Sequence, residues 1–159
     1  MRQTAVDMLT LYRAKGLRIA TAESCTGGMV AAAITDIAGS SDVFDRGFVT
    51  YSNAAKSGML GVLSQTLATH GAVSEPVARE MAEGALAASA ADVALSITGI
   101  AGPGGSDFKP EGRVCFGLAR KGQATWTETV EFGARGRDGV RDAATDHALA
   151  LLLMAAETH

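Results

Sequence analysis

TAESCTGG, residues 21–28, lies between a short apolar run and a segment with helical composition. The apolar run, residues 17–22, is typical of a buried strand, and residues 29–37 favour a helix. A strand that passes through a tight glycine turn into a helix is the unit in which α/β proteins place ligands, at the carboxyl edge of the sheet. The stretch therefore predicts an α/β fold and indicates where the functional site lies.

The remaining segments extend this unit to a sheet covered by helices. Gly16 is typical of a helix end, and Ser74 followed by Glu75-Pro76 is typical of a helix start. Helices are predicted over residues 2–15, 53–61, 64–70, 75–89 and 138–158, and strands over residues 43–52, 92–98, 113–120 and 124–132, the last two as a hairpin. This order predicts one domain, residues 1–159, folded as a three-layer α/β/α sandwich with a mixed, mostly parallel sheet.

Composition limits the classes of function. The 159 residues are 47% hydrophobic and 19% charged, which fits one folded domain with its own core. A net charge of -3 argues against nucleic-acid binding, although one arginine and a few backbone N–H groups still suit a phosphate. The apolar stretch 148–156 is too short to span a membrane, and the amino terminus lacks the apolar core of a signal peptide. We therefore expect a cytoplasmic protein that binds neither membranes nor nucleic acid.

No pattern of cysteines or carboxylates predicts a bound metal. Cys25 and Cys115 are far apart in the sequence, and two thiols in an acidic chain are typical of a reducing compartment. Asp36, Asp42 and Asp45 do not have the spacing of a metal site. We predict neither a metal nor a cofactor.

Ser24 allows two interpretations. Free N–H groups at a helix start bind side-chain oxygens, so Ser24 and Thr26 fit helix caps, and spacing alone favours this reading. In the other interpretation Ser24 is a nucleophile, and backbone N–H groups from Cys25 through Gly27 and Gly28 stabilise an oxyanion. The stretch lacks the Gly-x-Ser-x-Gly elbow of α/β-hydrolases. Cys25 is a rival nucleophile, because a helix N-terminus lowers the pKa of a thiol, but no histidine stands where a partner is expected.

Residues 50–56, TYSNAAK, lead from a predicted strand into a predicted helix. A lysine on such a helix is usually a solvated surface amine. In the absence of a suitable histidine, however, Lys56 is the most available base for a serine nucleophile, provided that burial lowers its pKa. Tyr51 is either an aromatic at the edge of the core or a ring that stacks on, or hydrogen-bonds to, a ligand.

Two further segments offer groups that bind anions. The glycine-rich loop 98–105 follows a buried strand, so its N–H groups are expected at the same sheet edge as Ser24 if the strands are parallel. Its candidate binding residues are Thr98, Gly99 and Gly102. The loop lacks the Gly-Lys-Ser/Thr ending of a P-loop. Arg137 and Arg141 share one helix face and either bind a phosphate or carboxylate or form a solvated face.

Six segments, in this order, resemble the C-terminal domain of the CinA family of competence- and damage-inducible proteins. They are TAESCTGG (21–28), ITDIAGSSDVF (34–44), GFVTYSNAAK (47–56), HGAVSEPVA (70–78), SITGIAGPGG (96–105) and GRDGVR (136–141). The resemblance covers nearly the whole chain, and six motifs in register are highly specific. It implies an α/β/α sandwich, a homo-oligomer, and hydrolysis of the carboxamide of nicotinamide mononucleotide to nicotinate mononucleotide and ammonia.

The resemblance also implies roles for single residues. Ser24 matches the nucleophile, and Lys56 matches its base in a Ser-Lys pair. The positions associated with the pocket are Ser41, Tyr51, Thr98 and Arg137. On this basis we expect neutral Lys56 to accept the Ser24 proton directly or through Ser41 or Ser52. N–H groups of residues 25–28 or 99–102 would hold the oxyanion, and Arg137 or Arg141 would bind the substrate phosphate.

Loop 106–112 departs from the neutral composition that the resemblance leads us to expect, since Phe108 is apolar and Glu111 is acidic. Two other functions use the same fold and loops. One is a nucleotide-binding module without turnover, acting through a partner in DNA uptake or a damage response. The other is a hydrolase of the same mechanism that acts on a different amide. The presence of both Ser24 and Lys56 favours an enzyme, because a binding module needs neither.

Overall fold

The computed structural model describes residues 1–159 as a sheet between two layers of helices. The helices are α1 (Arg2–Lys15), α2 (Met29–Thr35), α3 (Asn53–Leu60), α4 (Ser64–His70), α5 (Glu75–Ala87) and α6 (Gly136–Glu157). The strands are β1 (Ile19–Glu23), β2 (Phe44–Val49), β3 (Val93–Gly99), β4 (Arg113–Arg120) and β5 (Trp126–Glu131), and a 3-10 turn spans Ser40–Asp42. None of these helices combines the length and the apolar composition that a membrane span requires.

The five strands lie in the order β2-β1-β3-β4-β5. β1 is parallel to both β2 and β3, whereas β4 is antiparallel to β3 and to β5. The sheet is therefore mixed, and the β4–β5 hairpin supplies its antiparallel part. The predicted three-layer α/β/α sandwich is confirmed.

Alternating side chains of the central strands divide the core into two layers. Val93, Leu95 and Ile97 of β3 pack with α1, α2 and α6 on one face of the sheet. Ala94, one position along, packs with α3 and α5 on the other face. Five of the nine buried residues of the second layer are alanines, so α5 can lie very close to the sheet. A Cβ at Gly117 of β4 would lie 2.5 Å from the Ala78 carbonyl oxygen of α5.

The strand order creates the crevice in which the site lies. β2 and β3 lie on opposite sides of β1 in the sheet. The loop that follows β1 and the loop that follows its neighbour therefore leave the sheet in opposite directions at the carboxyl end of β1. Crevices of this kind bind ligands in open α/β sheets. The N–H of Ser24 donates to the Ile97 carbonyl at 2.9 Å, and the N–H of Thr50 donates to the Glu23 carbonyl at 2.9 Å. These bonds hold the three strand ends together.

Most of the predicted boundaries agree with the structure to within three residues. α2 ends at Thr35 instead of residue 37, before a turn that contains Gly39 at φ +86°. β2 is confined to Phe44–Val49 within the predicted 43–52, because it is an edge strand and pairs only over the length of β1. β1 begins later than predicted and includes Glu23.

Candidate active site

The turn after β1 presents Ser24 at the mouth of the crevice. The Ser24 side chain is 8% exposed. Gly27 and Gly28 follow at φ +58° and +107°, two consecutive left-handed conformations that a residue with a Cβ adopts only at a cost. They reverse the chain from strand to helix within a few residues. The backbone N–H groups of Cys25 and Thr26 donate to no protein acceptor in this turn.

Glu23, and not Ser24, caps helix α2. Its buried carboxylate accepts hydrogen bonds from the Thr26 hydroxyl at 2.6 Å and from the N–H groups of Val30 at 2.9 Å and Ala31 at 3.0 Å. A carboxylate at a helix start satisfies free N–H groups and interacts favourably with the helix dipole. Glu23 is not among the residues predicted from the sequence to have a role at this turn. Because Glu23 does the capping, the Ser24 hydroxyl is free for another partner.

That partner is Lys56 of α3. The helix begins at Ser52, whose hydroxyl accepts from the Ala55 N–H at 3.0 Å, and this start directs Lys56 inward. The Lys56 side chain is 1% exposed. Its Nζ lies 3.0 Å from Ser24 Oγ, 3.0 Å from the Thr50 carbonyl oxygen and 3.5 Å from the Tyr51 carbonyl oxygen. The solvated-amine interpretation is therefore wrong.

The surroundings of Lys56 favour its neutral form. Burial lowers the pKa of the amine, and no carboxylate lies within ion-pair distance of it. A neutral amine has two N–H donors and one lone pair. The Thr50 and Tyr51 carbonyls match the two donors, which leaves the lone pair for the Ser24 hydroxyl proton. The geometry thus suits proton transfer from Ser24 to Lys56.

Cys25, next to Ser24, is not suited to act as the nucleophile. Burial raises the pKa of its thiol to about 12, so it is protonated at neutral pH. A thiol in this state is a poor nucleophile. Its side chain lines the pocket next to Ser24 and has only 6% of its surface exposed.

Ser24 and Lys56 open into a pocket of about 330 Å³, at the lower end of the size range of small-molecule sites. Its walls include Cys25, Tyr51, Thr98, Gly99, Gly102 and Arg137. The Thr98 hydroxyl donates to the Ala72 carbonyl at 2.9 Å, so that side chain also ties the wall together. The structure thus brings together residues predicted from four separate segments of the chain.

The two arginines of α6 lie in different places. Arg137 lines the pocket, where its guanidinium donates to the Gly102 carbonyl at 2.8 Å and to the Tyr51 hydroxyl at 2.7 Å. Arg141 does not line the pocket. Its Nε donates to the Cys25 carbonyl at 3.1 Å and its Nη2 to the Thr26 carbonyl at 3.4 Å. The expectation that either arginine reaches a substrate phosphate is therefore restricted to Arg137.

Ser41 is not part of this pocket. It is exposed in the 3-10 turn Ser40–Asp42, immediately before β2. Since β2 runs parallel to β1, a residue that precedes β2 lies at the amino edge of the sheet, whereas Ser24 follows β1 at the carboxyl edge. The expectation that Ser41 lines the pocket or relays the Ser24 proton is corrected. Direct contact with Lys56 makes a relay unnecessary, and Ser52 is engaged as a helix cap.

Three other predicted binding residues form the back of the Ser24 turn. Thr26 is fully buried and donates to Glu23, while Gly27 and Gly28 shape the backbone, and none of the three lines the pocket. Their contribution is the position of the turn and not a surface for the ligand.

Glu111, which departs from the expected loop composition, braces the glycine-rich loop. One carboxylate oxygen accepts from the Gly104 N–H at 2.6 Å and the other from the Gly136 N–H at 2.9 Å. The loop is thereby fastened to the start of α6, one residue before Arg137. Phe108 is fully exposed and does not line the pocket. No cluster of three or more His, Cys, Asp or Glu side chains is placed to hold a metal ion.

Comparison with known proteins gives consistent results. The sequence profile of the CinA C-terminal domain matches residues 1–156. Nicotinamide-nucleotide amidohydrolase PncC of Escherichia coli (strain K12) is 58% identical over 141 residues, covering 88% of this chain and 85% of that protein. A relative from Symbiobacterium thermophilum, named as a competence-damage inducible protein, is 54% identical over 151 residues, and the chain spans 35% of its length. The solved structure of competence/damage inducible protein CihA from Agrobacterium tumefaciens superposes with a TM-score of 0.93 at 46% identity, covering 98% of this chain and 94% of that one.

Proposed function

Because the chain belongs to the CinA C-terminal domain family, we propose that it hydrolyses the carboxamide of nicotinamide mononucleotide to nicotinate mononucleotide and ammonia. The proposal is supported by 54–59% identity to proteins named nicotinamide-nucleotide amidohydrolase over 88–89% of this chain. The observation that carries the mechanism is the 3.0 Å contact between Ser24 Oγ and a buried Lys56 Nζ.

In the first half of the reaction, neutral Lys56 accepts the hydroxyl proton of Ser24 while Ser24 Oγ attacks the carboxamide carbon. The resulting tetrahedral intermediate collapses by breaking the C–N bond. The ammonium of Lys56 returns the proton to the departing nitrogen, so ammonia leaves and Lys56 is neutral again. The acyl group then remains on Ser24 as an ester.

In the second half, a water molecule replaces ammonia. Lys56 accepts a proton from the water as its oxygen attacks the ester carbon, and then gives that proton to Ser24 Oγ as the ester bond breaks. The product leaves as a carboxylic acid that gives its proton to solvent and becomes the carboxylate, and the enzyme is free. The same amine thus acts as base and acid twice, which is why its neutral resting state matters.

The negative oxygen of both intermediates needs hydrogen-bond donors. The N–H of Cys25, the residue after the nucleophile, is adjacent to Ser24 and has no protein acceptor. We assign it as a donor to the oxyanion, since such preorganised N–H groups usually provide the largest single contribution to acyl transfer. On the glycine-rich loop, the N–H groups of Ala101 and Gly102 are also unused and lie on the pocket wall.

Arg137 is the group we assign to the substrate phosphate. Its guanidinium is exposed and is held at the pocket by two neutral oxygens, from Gly102 and Tyr51. No carboxylate lies within ion-pair distance of it. A dianionic phosphate is a stronger acceptor than either oxygen. Tyr51 stands beside it at the rim, 61% exposed, where its ring is available to a ligand.

Two further expectations complete the proposal. Both cysteines are free and buried, which fits a reducing compartment, so we place the reaction in the cytoplasm. The homo-oligomer implied by the family resemblance stays a prediction, and light scattering of the purified protein tests it.

The experiment is to incubate the purified protein with nicotinamide mononucleotide and to quantify both ammonia and nicotinate mononucleotide. We expect equal amounts of the two products from the wild type, none from Ser24→Ala, and wild-type rates from Ser64→Ala, an exposed serine on α4. A wild-type protein that releases no ammonia would contradict the proposed reaction and favour a nucleotide-binding module. Full activity in Ser24→Ala would contradict the nucleophile.

A further inference from the structure

Arg141 is a conspicuous feature that the proposed reaction does not use. It projects from α6 to the back of the Ser24 turn and lies outside the pocket. Its guanidinium donates to two successive carbonyls, those of Cys25 at 3.1 Å and Thr26 at 3.4 Å. No carboxylate lies within ion-pair distance of it. Partial burial of a charge that has only neutral carbonyls as partners costs folding free energy. This cost suggests that the position or the charge of Arg141 contributes to function.

The shape of this contact fixes the backbone that follows the nucleophile. A guanidinium presents its donors in a rigid planar fork, so it orients two acceptors at once. A peptide group is planar and trans, so a fixed Cys25 carbonyl also fixes the Thr26 N–H, which points the opposite way. Holding both carbonyls therefore fixes the two peptide planes on either side of Thr26, including the Thr26 N–H, which has no protein acceptor. The first of these planes follows directly on Cys25, whose own N–H is the donor assigned to the oxyanion.

The charge of this contact opposes that of Glu23. The Glu23 carboxylate is buried on the same turn, bonded to Thr26 and to the start of α2. Its charge acts on neighbouring Cys25 in the opposite sense to the charge of Arg141: beside the larger effect of burial, Glu23 raises the pKa of the Cys25 thiol, and Arg141 lowers it. Part of the Glu23 charge is offset by the N–H groups of α2 that it caps. The Arg141 guanidinium supplies a full positive charge on the other side of the turn. The positive charge of Arg141 thus offsets the electrostatic repulsion between the Glu23 carboxylate, which caps α2, and the negative oxygen of the intermediate.

We propose that Arg141 is a positioning residue for acyl transfer: it holds the Cys25–Thr26 backbone and its charge offsets Glu23, so that the turn stabilises the oxyanion. This inference rests on the proposed function, but it concerns the Ser24 turn and not the substrate. Arg141→Ala lowers kcat for nicotinamide mononucleotide by about 10- to 100-fold and leaves KM within about threefold, because the pocket walls are untouched. Arg141→Lys keeps the charge but not the fork and lies between wild type and Arg141→Ala.

Arg137→Ala is the contrasting variant, since Arg137 lies one helical turn away on α6 but faces the pocket. Its main effect is to raise KM, because Arg137 is the group assigned to the substrate phosphate, whereas the main effect of Arg141→Ala is on kcat. Millimolar guanidinium added to Arg141→Ala occupies the vacated space and raises kcat at least several-fold. The same addition does not raise the kcat of Arg137→Ala. Loss of fold would lower both kcat and the thermal midpoint and would not respond to guanidinium. Arg141→Lys, a smaller change, provides a second test if Arg141→Ala is poorly folded.

The deciding experiment uses p-nitrophenyl acetate, an activated ester that acylates a serine without any need for the nucleotide. The rate of the Ser24-dependent p-nitrophenolate burst is measured for wild type, Arg141→Ala and Arg141→Lys, with Ser24→Ala as the blank. A burst slowed at least tenfold in Arg141→Ala, and partly restored by guanidinium, supports the inference even if nicotinamide mononucleotide proves not to be the substrate. An unchanged burst rate in Arg141→Ala overturns it. The absence of any Ser24-dependent burst in the wild type also overturns it, together with the nucleophile.

Discussion

Replacing Lys56 with methionine removes the base while keeping a side chain of similar length in the same buried space. The Ser24 hydroxyl has no other side-chain partner, so no second group can take over proton transfer. General acid–base catalysis contributes about 10²- to 10⁴-fold to a rate. Lys56 acts in both halves of the reaction, so we expect a loss at the upper end of this range. The kcat for nicotinamide mononucleotide should fall about 10⁴-fold, which corresponds to about 5 kcal/mol of activation free energy.

The same substitution has opposing effects on folding. The Thr50 and Tyr51 carbonyls lose a donor, at about 1–3 kcal/mol for a buried acceptor left unpaired, but the cost of burying an amine is also removed. We therefore expect the free energy of unfolding to change by less than about 2 kcal/mol, far too little to explain the loss of rate.

The assay is continuous detection of ammonia at saturating substrate, combined with thermal unfolding of each variant. Lys121→Met is the matched control, because the Lys121 side chain is 62% exposed on the β4–β5 turn. It should keep both the rate and the thermal midpoint of the wild type. Retention of more than a tenth of the wild-type kcat in Lys56→Met would show that Lys56 is not the base, since removal of a base in direct contact with the nucleophile costs far more than tenfold.

Three other predictions follow from the same geometry. Arg137→Ala should raise KM for nicotinamide mononucleotide at least about tenfold, by loss of a charge-assisted bond, but should not alter the turnover of nicotinamide riboside, which lacks the phosphate; equal effects on both substrates would contradict the phosphate role. Cys25→Ala should keep kcat within about tenfold, and the native thiol should resist iodoacetamide at pH 8, because burial raises its pKa to about 12; rapid alkylation would contradict this environment. Since the Lys56 pKa is lowered in the folded state, the unfolded state binds more protons between that pKa and the ordinary value of about 10.4. In urea unfolding, the free energy of unfolding of the wild type minus that of Lys56→Met should therefore rise with pH across that interval. A difference that falls with pH would contradict the lowered pKa.

The sequence predicted the parts of the fold that depend on local signals. Gly16 ends α1 in a left-handed conformation, and the Ser74 hydroxyl accepts from the Val77 N–H at the start of α5. Such caps act within a few residues of the chain, so a single sequence contains them. The β1–turn–α2 unit was found for the same reason, from its apolar run and its consecutive glycines.

The site was only partly predictable, because its contacts join distant parts of the chain. Lys56 was proposed by elimination and by resemblance, while its burial beneath Thr50 and Tyr51 depends on how α3 packs. Ser41 was misplaced although the sequence held the necessary information: a residue before a parallel strand and a residue after its neighbour lie at opposite sheet edges. Glu23 was missed because a carboxylate inside an apolar strand gives no sign that it will cap the next helix.

Arg137 and Arg141 illustrate the limit of periodicity. They are one turn apart and share a helix face, as predicted, yet one reaches Gly102 and Tyr51 and the other reaches Cys25 and Thr26. Which carbonyls each guanidinium meets is set by the loops that pack around the start of α6. Helical spacing alone cannot distinguish these two environments.

Lys56 can act as a base toward Ser24 only if its amine is neutral, and the pKa of that amine can be measured directly. The chain has only four lysines, so NMR of protein labelled with ¹³C at lysine Cε gives few signals, and Lys56→Met assigns the one of interest. We expect the Lys56 signal to titrate well below the ordinary value of about 10.4, because burial disfavours the ammonium. A Lys56 signal that titrates at or above that value would rule out Lys56 as the base, since a permanently charged ammonium cannot accept the Ser24 proton.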